Sequence, residues 1–505
     1  MISAFTNIFK VPELRRRVLF TLAMIVIVRA GSAITTPGIN AEVLSAWFAS
    51  AGEAGRGGLA SLFNLFSGGA LGHCAIFSLG VMPYISASIM MQLLSAVVPR
   101  LGKLAREDGG RRKITQYTRL LTIGLCIFQG TLLAKSLEAP QANPFLPGIM
   151  ETIRSLNMDL VPNPGFFFVF TTVMTLTTGT VFLMWLGDQI TERGVGNGMS
   201  LIIAVGILAQ LPAGLMQAWR TFVPTDAGAA TNVSPVVLVM LVVFLLVVVA
   251  AVIAITQAQR KISIQYAKRV VGRKVYGGQT QYMPLKVNYA GVMPIILTQA
   301  ILMFPTSIIK MAFPQNSWAI SIATQLELGW PHYALQAALI FFFSYFWVAT
   351  QFQPAQIADD LKKYGGFIPG VRPGKPTADF LDFTMSRLTF AGAIFLTIIA
   401  VLPALLYRAM DVPYMAAQFF GGTGLLIIVG VTLDTMRQVE THLIQRHYDG
   451  FLRKGHIRGA RDVKARMGTN TLLNDRTLTM MFIFFAILAI IAGAIFVYNQ
   501  FPAKP

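Results

Sequence analysis

Charge is scarce in this chain of 505 residues: Asp, Glu, Lys and Arg make up 12% of it, about half of what a soluble domain carries. Mean hydropathy is +0.61. So little charge excludes a water-soluble surface. It also excludes disorder, which requires low hydrophobicity and many charges. Cysteine is nearly missing; Cys74 and Cys126 are the two present, too few for a disulfide scaffold or a cysteine-rich metal site. The five histidines, His73, His332, His442, His447 and His456, fall in no metal-binding spacing such as HExxH. No GxSxG or comparable nucleophile motif occurs. Gly194-Val195-Gly196-Asn197-Gly198 resembles a phosphate loop only briefly. Met199 replaces the last glycine, there is no GK[ST], and an apolar run precedes it rather than a strand, so it reads as a tight turn. Asp188 and Glu192, one helical turn apart beside Arg193, read as a local ion-pair group. Enzymatic chemistry therefore has no anchor.

What the chain has in abundance is long apolar sequence. A helix spanning about 30 Å of hydrocarbon needs roughly 20 residues. Eleven runs qualify approximately: 18–36, 74–97, 117–137, 166–187, 197–218, 235–257, 288–309, 334–353, 387–407, 417–436 and 478–498. The run from Val236 to Ile255 is almost pure Val, Leu, Ala and Ile. Arg15, Arg16 and Arg17 before Val18–Val28, with Gly31-Ser32-Ala33 after it, imitate a signal peptide. Arg29 breaks that pattern, so the run reads as a first span. The fold class is an all-α polytopic membrane protein.

Base exceeds acid, 41 residues against 22. In so apolar a chain this reads as basic loops on one face of a membrane rather than as nucleic-acid binding. With the N-terminus inside and the spans alternating, inside segments collect 33 Lys and Arg and outside segments 7. The positive-inside rule therefore places residues 1–17 in the cytosol. The stretch 437–477 is expected to be a basic cytosolic tail, and 478–498 an eleventh span at the periphery with an external C-terminus.

Ionisable residues inside the runs are few, with Arg29 the clear case. Pumps and coupled transporters place such groups at mid-membrane. Here the central polar residues are neutral: Ser86, Ser88, Gln92, Gln129, Asn288 and Gln299. They suit a pathway that passes varied cargo without holding it. Between the first two runs, Leu59–Phe66 is apolar and helix-capable but too short to span, and it breaks at Ser67-Gly68-Gly69. It is either a re-entrant element or an interfacial helix. On the inside, residues 258–287 carry seven basic residues and no acid. Residues 354–386 contain Tyr364-Gly365-Gly366-Phe367-Ile368-Pro369-Gly370-Val371-Arg372-Pro373-Gly374, a density of Gly and Pro that makes defined turns. Basic groups on such turns either form a rigid docking surface or are simply solvated.

Several stretches coincide in order: Phe63-Asn64-Leu65-Phe66-Ser67-Gly68-Gly69-Ala70-Leu71, Gly80-Val81-Met82-Pro83-Tyr84-Ile85-Ser86-Ala87-Ser88-Ile89, Gly110-Arg111-Arg112-Lys113-Ile114, Trp185-Leu186-Gly187-Asp188-Gln189-Ile190-Thr191-Glu192-Arg193-Gly194, Tyr266-Ala267-Lys268-Arg269, Pro284-Leu285-Lys286-Val287-Asn288 and Ile368–Gly374. From about residue 10 to about 450 the chain closely resembles the SecY family, central channel subunits of the bacterial Sec translocase. The resemblance implies a clamshell of two pseudo-symmetric five-helix halves, 18–218 and 235–436, plus the extra C-terminal helix. It implies a plug at about 60–72, comprising Leu62, Phe63, Asn64, Leu65, Phe66, Ser67, Gly68 and Gly69. It implies an apolar pore ring of Val81, Ile85, Met199, Ile203, Ile296 and Ile427, in which Val81 and Met199 replace the usual isoleucine. A lateral gate between the second and seventh runs would carry Ser86, Gln92, Gln129 and Asn288, hydrogen-bonding across the closed gate. Lys268, Arg269, Arg273, Lys274 and Arg372 match the surface that docks the ribosome and the SecA-type motor ATPase.

Other partners so implied are SecE-like and SecG-like membrane subunits, signal peptides, nascent chains and membrane lipid. The implied location is the bacterial cytoplasmic membrane, and no cofactor is implied. Three features depart from the family: Thr256-Gln257-Ala258-Gln259-Arg260 lacks its acidic residue, Gln353-Pro354 replaces Asn-Pro, and the chain continues past ten runs. A small-molecule secondary transporter is the competing reading, but it requires mid-membrane coupling groups. A membrane-embedded enzyme is a third, without candidate catalytic residues.

Overall fold

The computed structural model describes residues 12–53, 63–107, 109–140, 146, 148–222, 236–266, 269–271, 274–276, 280–312, 316–410, 417 and 422–453. The first half contains α1 (Pro12–Gly31), α2 (Ala41–Glu53), α3 (Met82–Val97), α4 (Pro99–Arg106), α5 (Gly110–Glu138), α6 (Ile149–Leu156), α7 (Phe166–Arg193) and α8 (Gly198–Phe222). After α9 (Val236–Gln257) come β1 (Gln259–Tyr266), β2 (Arg269–Val271), β3 (Lys274–Tyr276) and β4 (Thr280–Lys286). There follow α10 (Met293–Ala312), α11 (Ser317–Leu328), α12 (Trp330–Gln351), α13 (Pro354–Lys363), β5 (Gly366–Phe367), α14 (Lys375–Met410) and α15 (Thr423–Arg453).

The surroundings decide the secondary structure. The β-branched run of α9 would favour strand in water. In lipid, each backbone N–H and C=O must be satisfied within the segment, which selects helix. The threonines obey the same constraint: Thr118, Thr122, Thr131 and Thr175 donate their hydroxyls to the carbonyl four residues earlier at 2.7–2.9 Å. Among the described residues, six helices are long and apolar enough to cross a membrane: α5, α7, α8, α9, α12 and α14. The other expected spans form helices with shifted limits. α1 ends at Gly31 rather than at 36, and α10 begins at Met293 rather than at 288. α3 has only 16 residues, because the expected run from 74 spends its first eight residues in turns, ending at Gly80 with φ +57 and at Pro83 in the first helical turn. At 1.5 Å per residue α3 is about 24 Å long, short of a full crossing. α15 continues to Arg453, into the stretch expected to be a tail. The eleventh run, 478–498, lies outside the described residues.

Five long helices, α1, α3, α5, α7 and α8, precede residue 223, and five, α9, α10, α12, α14 and α15, follow 235. The halves meet along two seams: α3 against α10 on one side, and α8 against α9 and α15 on the other. A separate apolar cap, built on Val43, Leu44 and Trp47 of α2 and Ile149 of α6, packs on Cys74 and Phe168. The basic segment expected as an inside loop forms strands. β1 pairs antiparallel with β4, and its other edge takes β5 through Gln265 opposite Phe367 and Tyr266 opposite Gly366. The two inside loops are therefore joined in one three-stranded sheet. Buried Ile262, Leu285 and Ile368 join it to the feet of α3, α12 and α14.

Candidate functional site

Between the halves lies one apolar cluster to which α1, α3, α7, α8, α10 and α15 all contribute. Val81, at the N-cap of α3, Ile203 of α8, Ile296 of α10 and Ile427 of α15 are buried, at 4%, 7%, 5% and 2% exposure. Ile85 and Met199 are partly buried and pack on the same cluster. Val81 and Ile85 are four apart, as are Met199 and Ile203, so each pair is stacked on one helix face. All six residues singled out as a ring are thus brought together from four helices.

The short segment before α3 reaches into this cluster. Residues 63–66 form one helical turn, 67–70 turn back, and Leu71–His73 form a 3-10 turn. Leu65 and Phe66 are buried in the cluster with the ring residues. Residues 60–62 of the expected plug, Leu62 among them, lie outside the described residues. Asn64 is buried for a structural reason: its Oδ1 accepts the Gly72 N–H at 2.8 Å and its carbonyl accepts the Gly69 N–H at 2.8 Å. At Gly68 (φ +69) a Cβ would sit 2.7 Å from the Gly206 Cα, so only glycine lets this turn lie on α8.

The gate residues behave differently from the expectation. Gln92 is exposed and donates to Ser88 Oγ on its own helix at 3.4 Å. Asn288 is buried and donates to the Gly291 carbonyl at 3.1 Å, closing the turn that launches α10. Ser86 and Gln129 are half-buried on α3 and α5. Among the described residues, no hydrogen bond joins these four to one another. The α3–α10 seam is apolar instead, with Ile85, Ile89 and Leu93 of α3 in one cluster with Met293 and Leu297 of α10. Gln92 and Asn288 thus bond within their own stretch of chain rather than across the seam.

Of the basic residues, Arg372 is exposed on the turn between β5 and α14, and its carbonyl accepts Thr377 Oγ1 at 2.8 Å. Arg269 opens β2 and Lys274 opens β3, which pair antiparallel as a separate two-stranded sheet. Lys268 and Arg273 lie outside the described residues. The backbone thus gathers Arg269, Lys274 and Arg372 at the end of the molecule that carries the sheet.

Asp188 pairs differently from the reading made from sequence. Its Oδ2 accepts Arg119 Nη2 of α5 at 2.6 Å, rather than meeting its neighbour Arg193. Sequence reasoning also missed the role of the glycine-rich turn. The Val195 N–H bonds Thr21 Oγ1 of α1 at 3.1 Å, the Gly196 N–H bonds Gln438 Oε1 of α15 at 3.0 Å, and the Gly198 N–H bonds Thr191 Oγ1 at 2.8 Å. The turn that imitated a phosphate loop spends its amides on tying α1 and α15 to the α7–α8 corner. The polar positions 21 and 438 gave no sign of these distant partners.

These features have known counterparts. The SecY family model matches residues 75–436. The protein translocase subunit SecY of Streptomyces scabiei is 42% identical over 466 residues, covering 90% of this chain and 100% of that protein. A solved SecY structure, described as one whose plug domain stabilises the closed state of the translocation channel and maintains a membrane seal, matches with a TM-score of 0.54 at 18% identity, over 86% of this chain and 96% of that one. Sec61 from the canine ribosome–channel complex of the endoplasmic reticulum matches with a TM-score of 0.53 at 16% identity, over 86% and 96%. With a family match across most of its length, and a fold of two five-helix halves around an apolar cluster, this chain belongs to the SecY family.

Proposed function

We propose that this chain is the central subunit of a protein translocase. It is a non-enzymatic conduit that passes unfolded secretory chains between its halves and releases membrane segments sideways between α3 and α10. One observation carries this reading: six apolar residues from four helices converge between the halves, and Leu65 and Phe66 of a re-entrant segment pack against them. A narrow apolar ring dewets and so blocks ions, yet it offers no group that would grip a particular side chain in transit. The ring is Val81, Ile85, Met199, Ile203, Ile296 and Ile427, and the plug is the segment around 60–72. An apolar seam suits the sideways exit. A hydrophobic signal segment entering between Ile89 and Leu297 replaces apolar contacts with apolar contacts, so opening costs little net burial. In this reading Ser86, Gln92, Gln129 and Asn288 shape the helices that flank the gate, with Asn288 setting where α10 begins.

The strands and turns that carry Arg269, Lys274 and Arg372 are the docking platform for ribosomal RNA phosphates and for the SecA-type motor, which supplies the energy. SecE-like and SecG-like subunits complete the assembly in a bacterial cytoplasmic membrane, with the N-terminus cytosolic. The segment 478–498 is proposed as a peripheral span that leaves the C-terminus outside. Proteoliposomes holding this chain with those subunits, given motor and ATP, are expected to render an added unfolded preprotein resistant to external protease. Small-solute uptake without preprotein protection would instead identify a secondary transporter.

A further inference from the structure

Arg29 is the one clear charge inside a spanning run, and the constriction does not explain it. It lies in the last turn of α1, half-buried, and among the described residues no carboxylate stands within ion-pair distance of it. Such a residue is expected to have a specific partner. Its Nη1 donates to the Gly68 carbonyl at 2.8 Å. That carbonyl is presented to Arg29 because Gly68 (φ +69) and Gly69 (φ +89) turn the chain back, and because Gly68 lies directly on Gly206 of α8.

The segment held this way is bonded within itself. Asn64 takes two of its amides, the Ser67 N–H bonds the Phe63 carbonyl at 2.9 Å, and the Leu71 N–H bonds Ser67 Oγ at 3.2 Å. Its root is fixed just beyond Arg29 on the same helix end: the Thr36 N–H bonds the Cys74 carbonyl, and the Ile76 N–H bonds the Ile34 carbonyl, both at 2.9 Å. Among the described residues, the bond from Arg29 is the one hydrogen bond between residues 63–73 and a spanning helix. The segment can therefore swing on its root, where the Ala70 carbonyl accepts the Ala75 N–H and Ser78 Oγ, losing its apolar contacts and its one bond to a spanning helix.

We propose that Arg29 is the latch of the plug, a positioning residue that holds residues 63–73 against the ring in the closed channel. The proposal rests on the reading of this segment as a plug. A half-buried guanidinium bonded to a carbonyl makes a charge-assisted bond, stronger than a neutral one, and partial exclusion of water strengthens it further. Once cargo enters and water follows, hydration replaces the bond and the latch weakens. The seal is thus firm when dry and yields when wet.

The test measures resting ion leak in planar bilayers, with the full chain and its membrane subunits, for Arg29→Met, Arg29→Gln and Arg29→Lys. Each is made with residues 60–72 present and with them deleted. In the full chain Arg29→Met is expected to raise the leak about tenfold, the scale of losing one charge-assisted hydrogen bond. Arg29→Gln, which keeps a donor without charge, should fall between, and Arg29→Lys should restore most of the seal. In the deleted background all three should add nothing. If deletion raises the leak but Arg29→Met and Arg29→Gln do not, the latch is refuted and the plug stands. Equal increases in both backgrounds would also refute it, by showing that Arg29 acts elsewhere. A deletion without effect would remove the plug reading itself, and the latch with it.

Discussion

Replacing Ile296 with Asn is expected to raise resting ion leak by an order of magnitude or more with the plug in place, and deleting residues 60–72 to raise it similarly. Ile296 is buried in the cluster that also holds Val81, Ile203, Ile427, Leu65 and Phe66. An amide there has no partner among these side chains, and an unpaired buried polar group costs about 1–3 kcal/mol. Admitting water removes that cost, so the substitution favours a wet constriction. The plug contributes through Leu65 and Phe66, whose burial is worth about 1.5–3 kcal/mol each before the cost of ordering the segment. Val247, exposed on α9 and far in sequence from the ring, provides the control. Val247→Asn should leave leak unchanged. Wild-type conductance in both the Ile296→Asn and the deletion channels would mean that the cluster is ordinary helix packing.

Reversing Arg273, Lys274 and Arg372 to Glu together is expected to abolish salt-sensitive ribosome binding and to cut motor-driven translocation severely. Each contact with an RNA phosphate releases about one counterion, so losing three should lower the slope of log affinity against log salt by roughly 2–3. The fold should survive. Arg372 is exposed, and its structural contribution is a backbone carbonyl that any residue supplies. The sheet is held by backbone pairing and by buried Ile262, Leu285 and Ile368. Ribosome titrations from 50 to 200 mM salt (a range over which such contacts weaken strongly) give the comparison. Unchanged affinity and slope at normal expression would remove these residues from the docking surface.

The architecture was legible because lipid imposes a simple rule: a long apolar run must become helix. Ordered motifs then supplied the family, and with it ring positions that no periodicity marks. Val81 and Ile203 look like any helix-packing residues until four helices are seen to converge. Helix limits were less legible. The second run looks continuous from 74 to 97, yet Gly80 and Pro83 delay the helix to Met82, and the turns so formed carry the segment 63–73. The hairpin at 259–286 was hidden because its strands are basic and short, and because its outer edge is completed by β5, some eighty residues on. Long-range polar partners were hidden altogether. Nothing near Asp188 indicates Arg119, and nothing near Gly196 indicates Gln438. Such pairs depend on which helices become neighbours. Gln92 and Asn288 illustrate the same limit: their neutral polarity was visible, but their bonds to Ser88 and Gly291 were not.

The central claim is that cargo passes between the halves, through the apolar cluster. Photo-activated crosslinkers placed singly at Ile203, Ile296 and Val247, with a preprotein stalled midway, test it most directly. Strong adducts to the stalled chain are expected from 203 and 296 and none from 247. Crosslinking from 247 with silence at 203 and 296 would contradict it, placing the path outside the bundle.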